Sequence, residues 1–321
     1  MKTMETRNAH KAAPGGTTTK TTGSDRVYQD VTCRILQRMM QGEIPWRQTW
    51  VPEKDGVSPF RNPYTKINYS FLNQLLLVEP GMYATFNQIK AHGGHVLKGA
   101  KSKRVYYWSM FIPKKHKEEA EKLKAEGKSI DHLKQPCLMT YDVFNLEKDA
   151  EGLDLSKFRD EAPKKEKPQN PTDIVRMVVG DYKVNEALTV EEDNTREPFY
   201  DACLDRVVTP APGRFNIEED YWASLLSGFV HSTAQEERVN RKIELDRMQK
   251  GEMSPREWLI GEIGSSMILS ACGLEREETH EQIAATCQKC IEILQKDYRV
   301  LINSAGAAES SAKYILGSFA A

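Results

Sequence analysis

The first half of the chain alternates between helical and strand-like patterns of apolar residues. A helical face follows Ser24 or Asp25, either of which can cap the helix, and it stops at Gly42. The apolar members of this face are Val27, Tyr28, Val31, Ile35, Leu36 and Met39. The further elements predicted are a loop at 43–64, helices at 67–78 and 85–92, and strands at 105–112 and 137–146. Together they predict a small α+β domain with an antiparallel sheet.

Three segments lack such a pattern or are dominated by charge. Residues 1–23 are rich in Thr, Gly, Lys and Ala, which predicts a disordered tail. Residues 114–134 form a lysine–glutamate insert, interpreted as a solvated helical pair, and residues 147–171 have the composition of a linker. We therefore expect a first domain at 24–146 and a second at 172–321.

The second domain is predicted to be mostly helical. Mixed elements span 172–194, a strand covers 204–209, and three helical patterns follow near 218–236, 254–273 and 279–316. An edge strand beside paired helices is the arrangement found in zinc peptidases. The fold class expected for the whole chain is α+β.

Length and composition limit the number of domains and the class of protein that we expect. A chain of 321 residues has room for roughly two domains, each with a core of its own. No apolar run is long enough to span a membrane and no signal peptide is visible, so we expect a cytoplasmic protein without a membrane partner. Cys287 and Cys290 lie in a helical pattern and are interpreted as buried thiols.

Charge is divided unevenly along the chain, although the net charge is only −1. Residues 1–168 carry 29 Lys and Arg against 20 Asp and Glu, a net of +9, whereas residues 169–321 carry 16 against 26, a net of −10. Within 26–117 the count is 15 basic to 5 acidic residues, or +10. This polarity favours a polyanion as the partner of the first half alone.

Residues 227–231 stand where a zinc-peptidase helix would carry its chemistry. A His-Glu-x-x-His frame places two imidazoles on one helix face and a general base beside them. Here the frame reads Ser227, Gly228, Phe229, Val230 and His231, so only the second imidazole is present. The expected consequence is a peptidase-like fold without peptidase chemistry.

The chain resembles the ArdC-type antirestriction family of conjugative plasmids and phages, from about Val27 to Leu316. The segments that carry the resemblance, specific in their order and spacing, are Ile44-Pro45-Trp46-Arg47 with Trp50, Asn62-Pro63-Tyr64 with Ile67-Asn68, Tyr83 to Gln88, Gly93 to Gly99, Val143-Phe144-Asn145, Asp205 to Pro210 with Phe215, Tyr221 to Thr233, and Glu257 to Leu274. The resemblance implies an N-terminal single-stranded-DNA-binding domain and a C-terminal zincin-like metallopeptidase domain. It also implies a mobile genetic element as the source, and protection of incoming DNA from restriction.

The same resemblance indicates which positions correspond to the family's remaining metal ligand and its supporting acid. The family's second motif supplies a glutamate as third ligand and an acid four residues later, which correspond here to Trp258 and Glu262. We therefore expect a degenerate pocket formed by Ser227, Gly228, His231, Trp258 and Glu262, with no metal cofactor and no catalysis. We further expect Trp258 to fill the space of the metal, and Glu262 to accept a hydrogen bond from His231 or Ser227.

The candidates for DNA contact combine cations with aromatic rings, because phosphates need charge and unpaired bases need a stacking surface. The residues singled out are Trp46, Arg47, Trp50, Arg61, Lys98, Lys101, Lys103, Arg104, Tyr106 and Trp108. Trp46 and Trp50 can equally anchor their loop to the core. We also expect residues 26–146 alone to bind single-stranded DNA.

Two other functions stay open at this point. One is an active metallopeptidase with His231, Glu257 and Glu262 as an atypical ligand set, which requires Glu257 to replace Trp258 on the helix. The other is a protein-interaction scaffold, in which the basic first half binds an acidic partner. In the DNA-binding interpretation, the acidic second domain is expected either to contact a host protein or to support the first domain.

Overall fold

The computed structural model describes residues 23–47, 60–159 and 170–317, and its fold is mixed α+β. The elements of the first half are α1 (Gly23–Met39), β1 (Phe60–Asn62), β2 (Ile67–Asn68), α2 (Phe71–Leu77), β3 (Gly81–Thr85), α3 (Phe86–Ala91), β4 (His95–Val96), β5 (Lys103–Phe111), α4 (Lys117–Ala125), β6 (Gln135–Asn145), β7 (Ala150–Glu151) and α5 (Ser156–Arg159). The predicted α+β class is confirmed.

The main sheet of the first half has five strands in the order β2-β1-β3-β6-β5. Strand β1 runs parallel to β3, and the other neighbours pair antiparallel. The sheet is therefore mixed, and the purely antiparallel sheet expected from the sequence is wrong. Strands β5 and β6 pair along their whole common length, from Lys103 opposite Val143 to Phe111 opposite Gln135.

Local sequence signals explain several boundaries of these elements. Helix α3 begins at a capping box in which Thr85 and Gln88 satisfy each other's backbone N–H groups, and Gly93 after its end has a positive φ of 84°. The helix expected at 67–78 is instead the short strand β2 followed by α2. The insert at 114–134 holds one α-helix, α4, between short 3-10 turns, and so the expected helical pair is wrong.

The second half is mostly helical, as predicted. Its elements are α6 (Pro171–Asn185), β8 (Thr189–Glu192), β9 (Phe199–Asp201), β10 (Arg206–Thr209), α7 (Glu218–Ser232), α8 (Lys242–Met248), α9 (Pro255–Ala271), α10 (His280–Lys296) and α11 (Val300–Leu316). The three strands form a small sheet in the order β8-β10-β9. The last predicted helical pattern is divided at Asp297 into α10 and α11.

One apolar core runs through both halves of the protein. Ile35 of α1, Trp46 and Phe71 of α2 are buried in the same cluster as Leu301 of α11. The backbone N–H of Phe71 also donates to the Glu309 carboxylate of α11, at 3.1 Å. Helices of the second half thus cover apolar faces of the first, although two smaller clusters, around Phe60 and around Met82, lie entirely within the first half.

The segment expected to be a linker is folded in its first described part, residues 147–159. Strand β7 pairs with β4, placing Glu151 opposite His95. Leu153, Leu155 and Phe158 pack against the cluster around Met82. The first half therefore extends to about Phe158, and the described chain resumes at Asn170, which caps α6.

Candidate functional site

The remaining histidine of the zinc-peptidase frame contacts a buried glutamate. His231 lies near the end of α7, and its Nδ1 is 2.9 Å from Oε1 of Glu257 in the first turn of α9. Ser254 caps α9 by accepting the N–H of Glu257, at 3.0 Å. This cap and Pro255 after it begin the helix where Glu257, not Trp258, faces α7.

A guanidinium completes this buried cluster. Arg241 forms a bidentate pair with Glu257, through Nε to Oε2 at 2.9 Å and through Nη2 to Oε1 at 2.6 Å. Its remaining N–H groups donate to the Val230 carbonyl and to the hydroxyls of Thr233 and Ser311. All five donors of the guanidinium are therefore satisfied without water.

The charge of Glu257 is held by its partners. Its side chain is 0% exposed, and burial by itself would raise its pKa. The hydrogen bonds and charges of His231 and Arg241 outweigh burial and lower the pKa of Glu257 to about 2. Glu257 is consequently an anion at neutral pH, neutralised by Arg241.

Two glycines allow α7 and α9 to pack closely against their neighbours. A Cβ at Gly228, where the general base would stand, would lie 2.6 Å from Cγ1 of Val207 on β10. A Cβ at Gly261 of α9 would lie 2.6 Å from Nε2 of His231. That ring nitrogen is also 3.5 Å from the Ser227 hydroxyl. Both nitrogens of His231 therefore face protein atoms.

Trp258 and Glu262 do not occupy their expected places. Trp258 is partly buried at the edge of the core, and the Lys289 ammonium lies 4.0 Å from the centre of its ring. Glu262 accepts from the Trp46 indole at 3.3 Å and pairs with Arg47 at 2.8 Å, and so it contacts neither His231 nor Ser227. The predictions that Trp258 fills the space of the metal and that Glu262 accepts a hydrogen bond from His231 or Ser227 are therefore wrong. Glu257 is the residue of α9 that points toward His231.

The atypical ligand set considered from the sequence is not assembled. Glu257 and Glu262 contact different partners, one the Arg241 guanidinium and the other Arg47. Within the described ranges, no three His, Cys, Asp or Glu side chains are grouped so that they can hold a metal. The residues around His231 therefore do not fit a zinc or manganese ion.

Three of the residues predicted to contact DNA are buried in the protein, and a fourth, Arg47, is largely covered. Trp46 is 0% exposed. Arg47 is paired with Glu262 and Glu278, Arg61 donates to the Phe158 carbonyl, and Tyr106 is 7% exposed. Trp46, Arg47 and Arg61 are held by contacts inside the protein, which argues against their assignment as DNA contacts, whereas Tyr106 lines a groove beside β5. Trp50 lies outside the described residues.

The other predicted residues remain accessible around β5. Lys98 and Lys101 are exposed and pair with no acidic residue in the described part of the chain. Lys103 is half-buried and donates to the Leu77 carbonyl at 2.6 Å, whereas Arg104 pairs with Asp142 at 3.1 Å. Trp108 is 50% exposed, and its ring meets the ring of Tyr28 edge-on.

A groove of about 710 Å³ lies beside these residues. It is lined by residues of the edge strand β5 and its neighbour β6 and by residues of α11 in the second half. Tyr107 and Tyr141, on neighbouring strands, stack with ring centres 4.5 Å apart, and their hydroxyls are 2.8 Å apart. The hydrogen bond to Tyr141 raises the pKa of Tyr107 to about 12, so its hydroxyl is neutral at physiological pH. The groove thus combines a planar aromatic surface with polar walls.

Cations flank the groove without lining it. Lys66 is exposed in the turn between β1 and β2, where its neighbours Thr65 and Ile67 line the groove. Arg104 precedes Val105, another lining residue. The arrangement offers stacking inside and positive charge at the edges.

Sequence reasoning did not assign Arg241, Glu309 or the Tyr107–Tyr141 stack to a site. The stack was within reach, because the two predicted strands at 105–112 and 137–146 bring these residues together once their register is known. No local pattern marks Arg241 or Glu309, whose partners are distant in sequence.

Comparisons with known proteins agree with this architecture. Residues 25–144 match the N-terminal domain of anti-restriction factor ArdC, and residues 183–307 match a zincin-like metallopeptidase. The fold and site thus define an α+β domain joined to a zincin-like domain. The chain is thus similar to ArdC-type proteins over residues 25–144 and to zincin-like metallopeptidases over residues 183–307.

Similar proteins include two named DNA primase TraC from Escherichia coli. One is 26% identical over 304 residues and the other 25% over 299 residues, each match covering 90% of this chain. The chain spans only 20% and 27% of the length of these relatives.

Crystal structures of the antirestriction protein ArdC from plasmid R388, one metal-free and one Mn(II)-bound, share the fold. Each has a TM-score of 0.60 and covers 92% of this chain and 98% of its own, at 23% and 24% identity respectively. Within the described residues, no helix is both long and apolar enough to cross a membrane.

Proposed function

We propose that this protein binds single-stranded DNA through the groove on β5 and β6, and protects incoming DNA of a mobile element by occupying it. The groove is the main observation in support of this proposal. It offers stacked aromatic rings to unpaired bases and has cations at its edges for phosphates. Support also comes from the ArdC-type domain and from relatives named as DNA primases.

A titration of the full chain with a fluorescently labelled oligonucleotide tests this proposal. Changing Tyr107 and Tyr141 to Ala should weaken binding about tenfold or more, because base stacking contributes about 1–3 kcal/mol per base, and should leave the salt dependence nearly unchanged. Binding that is equally tight to duplex DNA, or unaffected by the double change, would reject the groove.

Charge is tested separately. Changing Lys66, Lys98 and Lys101 to Ala should flatten the fall of log affinity with log salt, which is about −0.7 per phosphate neutralised on a single strand. The matched control changes three exposed lysines of the second half, Lys183, Lys242 and Lys250, and should leave the slope as it is. Equal effects of both triple changes would show that only net charge matters.

We also propose that the zincin-like domain is catalytically inactive and serves as scaffold. The saturated Arg241–Glu257 pair and the close contact at Gly228 support this proposal. Metal analysis of the purified protein should find no stoichiometric zinc or manganese, and no protein substrate should be cleaved. About one metal ion per chain, lost on changing His231 to Ala, would contradict it. A host protein that contacts the acidic half stays a prediction of the sequence.

A further inference from the structure

The groove contains a carboxylate from the second half of the chain. Glu309 of α11 lines the groove beside Ser70 and Ile302, and its side chain is 15% exposed. Oε2 accepts the backbone N–H of Phe71 at 3.1 Å, and Oε1 pairs with Lys313 at 3.2 Å. These contacts fix the position of Glu309 while leaving its carboxylate with lone pairs for further donors.

The contact with Phe71 explains why this glutamate is held in place. The residue before α2, Ser70, makes no side-chain cap for that helix. Glu309 supplies the missing acceptor from another part of the chain, at the helix end where negative charge is favourable. The carboxylate is therefore built into the wall of the groove.

A carboxylate at this position discriminates between the parts of a nucleotide. It repels phosphates, which are better placed near the exposed Lys66 at the edge. It accepts hydrogen bonds from an exocyclic amino group, as carboxylates do from N4 of cytosine, whereas a carbonyl at the same position of thymine or uracil gives it no donor. Among the described residues that line the groove, Glu309 is the acidic one.

We propose that the groove is a nucleobase pocket that prefers bases carrying an exocyclic amino group, with Glu309 as the residue that sets this preference. The inference rests on the proposed binding of single-stranded DNA and names the base chemistry that the groove selects.

The test compares oligodeoxycytidine with oligodeoxyuridine of equal length, using the full chain at pH 8 and one salt concentration. These strands have the same backbone and differ at the amino and carbonyl groups that Glu309 can distinguish. The wild-type protein should bind the cytidine strand about tenfold more tightly, the effect of one hydrogen bond to a charged group. Oligodeoxythymidine should behave like the uridine strand.

The change Glu309→Gln should reduce this preference to about twofold or less, because the amide oxygen stays on the Phe71 N–H and the NH2 group that then faces the base cannot accept from an amino group. It keeps an oxygen for the Phe71 N–H, so α2 retains its cap. The matched control Glu237→Gln removes the same charge from an exposed residue after α7 and should preserve the preference.

A second change keeps the inference testable if Glu309→Gln is unstable. Lys313→Met leaves the carboxylate but removes the ammonium that competes for it, and should widen the cytidine preference. Tight binding with equal affinity for cytidine and uridine strands, or a preference unchanged in Glu309→Gln, would overturn the role of Glu309 while the proposed function stands. Failure to bind any of the strands would reject the proposed function itself.

Discussion

The change Arg241→Met is the sharpest probe of the cluster that stands in place of the zinc-peptidase chemistry. Methionine fills much of the volume of the arginine stem but donates no hydrogen bond, so Glu257 loses its bidentate partner. The Val230 carbonyl and two hydroxyls lose a donor as well. Because Glu257 is 0% exposed, water cannot replace what is lost.

The expected loss follows from burial and from the pKa of Glu257. Removing one partner of a buried ion pair costs about 3–5 kcal/mol. Independently, lowering the pKa of Glu257 from 4.5 to about 2 corresponds to about 3 kcal/mol of stability at neutral pH. We therefore expect the variant to lose about 3–5 kcal/mol in its free energy of unfolding at pH 7.

The difference in stability between the wild type and the variant should depend on pH. In the wild type the pKa of Glu257 is depressed, so its stabilisation is complete above about pH 4.5 and is lost as the pH falls toward 2. In the variant, burial and the His231 contact remain without the guanidinium, so the folded-state pKa of Glu257 should rise from its wild-type value. The variant then gains relative stability on acidification, and the gap between the two proteins should narrow from pH 7 to pH 4.

Urea unfolding followed by circular dichroism at several pH values measures these differences. The control is Arg241→Met combined with Glu257→Gln, which removes the unpaired charge and should recover about 1–2 kcal/mol of the loss. A cost below about 1 kcal/mol at pH 7, a gap that does not change with pH, or a double variant no better than the single one would refute the reasoning.

Three further changes test other parts of the structure. Trp46→Ala should lower the free energy of unfolding by about 3–5 kcal/mol, as a buried aromatic truncation does, which thermal unfolding measures. The protein that remains folded should bind DNA with unchanged affinity. Restoring the frame with Ser227→His and Gly228→Glu should destabilise the protein and confer no zinc binding, because a Cβ at Gly228 meets Val207; isothermal calorimetry showing tight zinc binding would contradict this. Trp258→Ala should cost about 1–2 kcal/mol in urea unfolding, less than a fully buried tryptophan, and a loss of more than about 3 kcal/mol would show that its packing dominates.

The sequence determined most of the secondary structure and the state of the peptidase frame. Periodicity located α1, α3, β5 and β6, since these elements carry their own apolar pattern, caps and turns. The absence of imidazole and carboxylate at Ser227 and Gly228 is likewise a property of the sequence alone. The charge division between the halves needed no coordinates either.

Only the tertiary structure decided which candidate residues are accessible and which meet. Trp46 and Arg47 have the composition of a DNA-binding loop, but Glu262, 216 positions after Trp46, binds both inside the protein. The same holds for Arg241 with Glu257. Burial depends on which element covers a face, and a hydrogen bond between distant residues leaves no mark on local periodicity. The groove exists because α11 packs beside a sheet formed some 160 residues earlier, a contact that the pattern of each half does not encode.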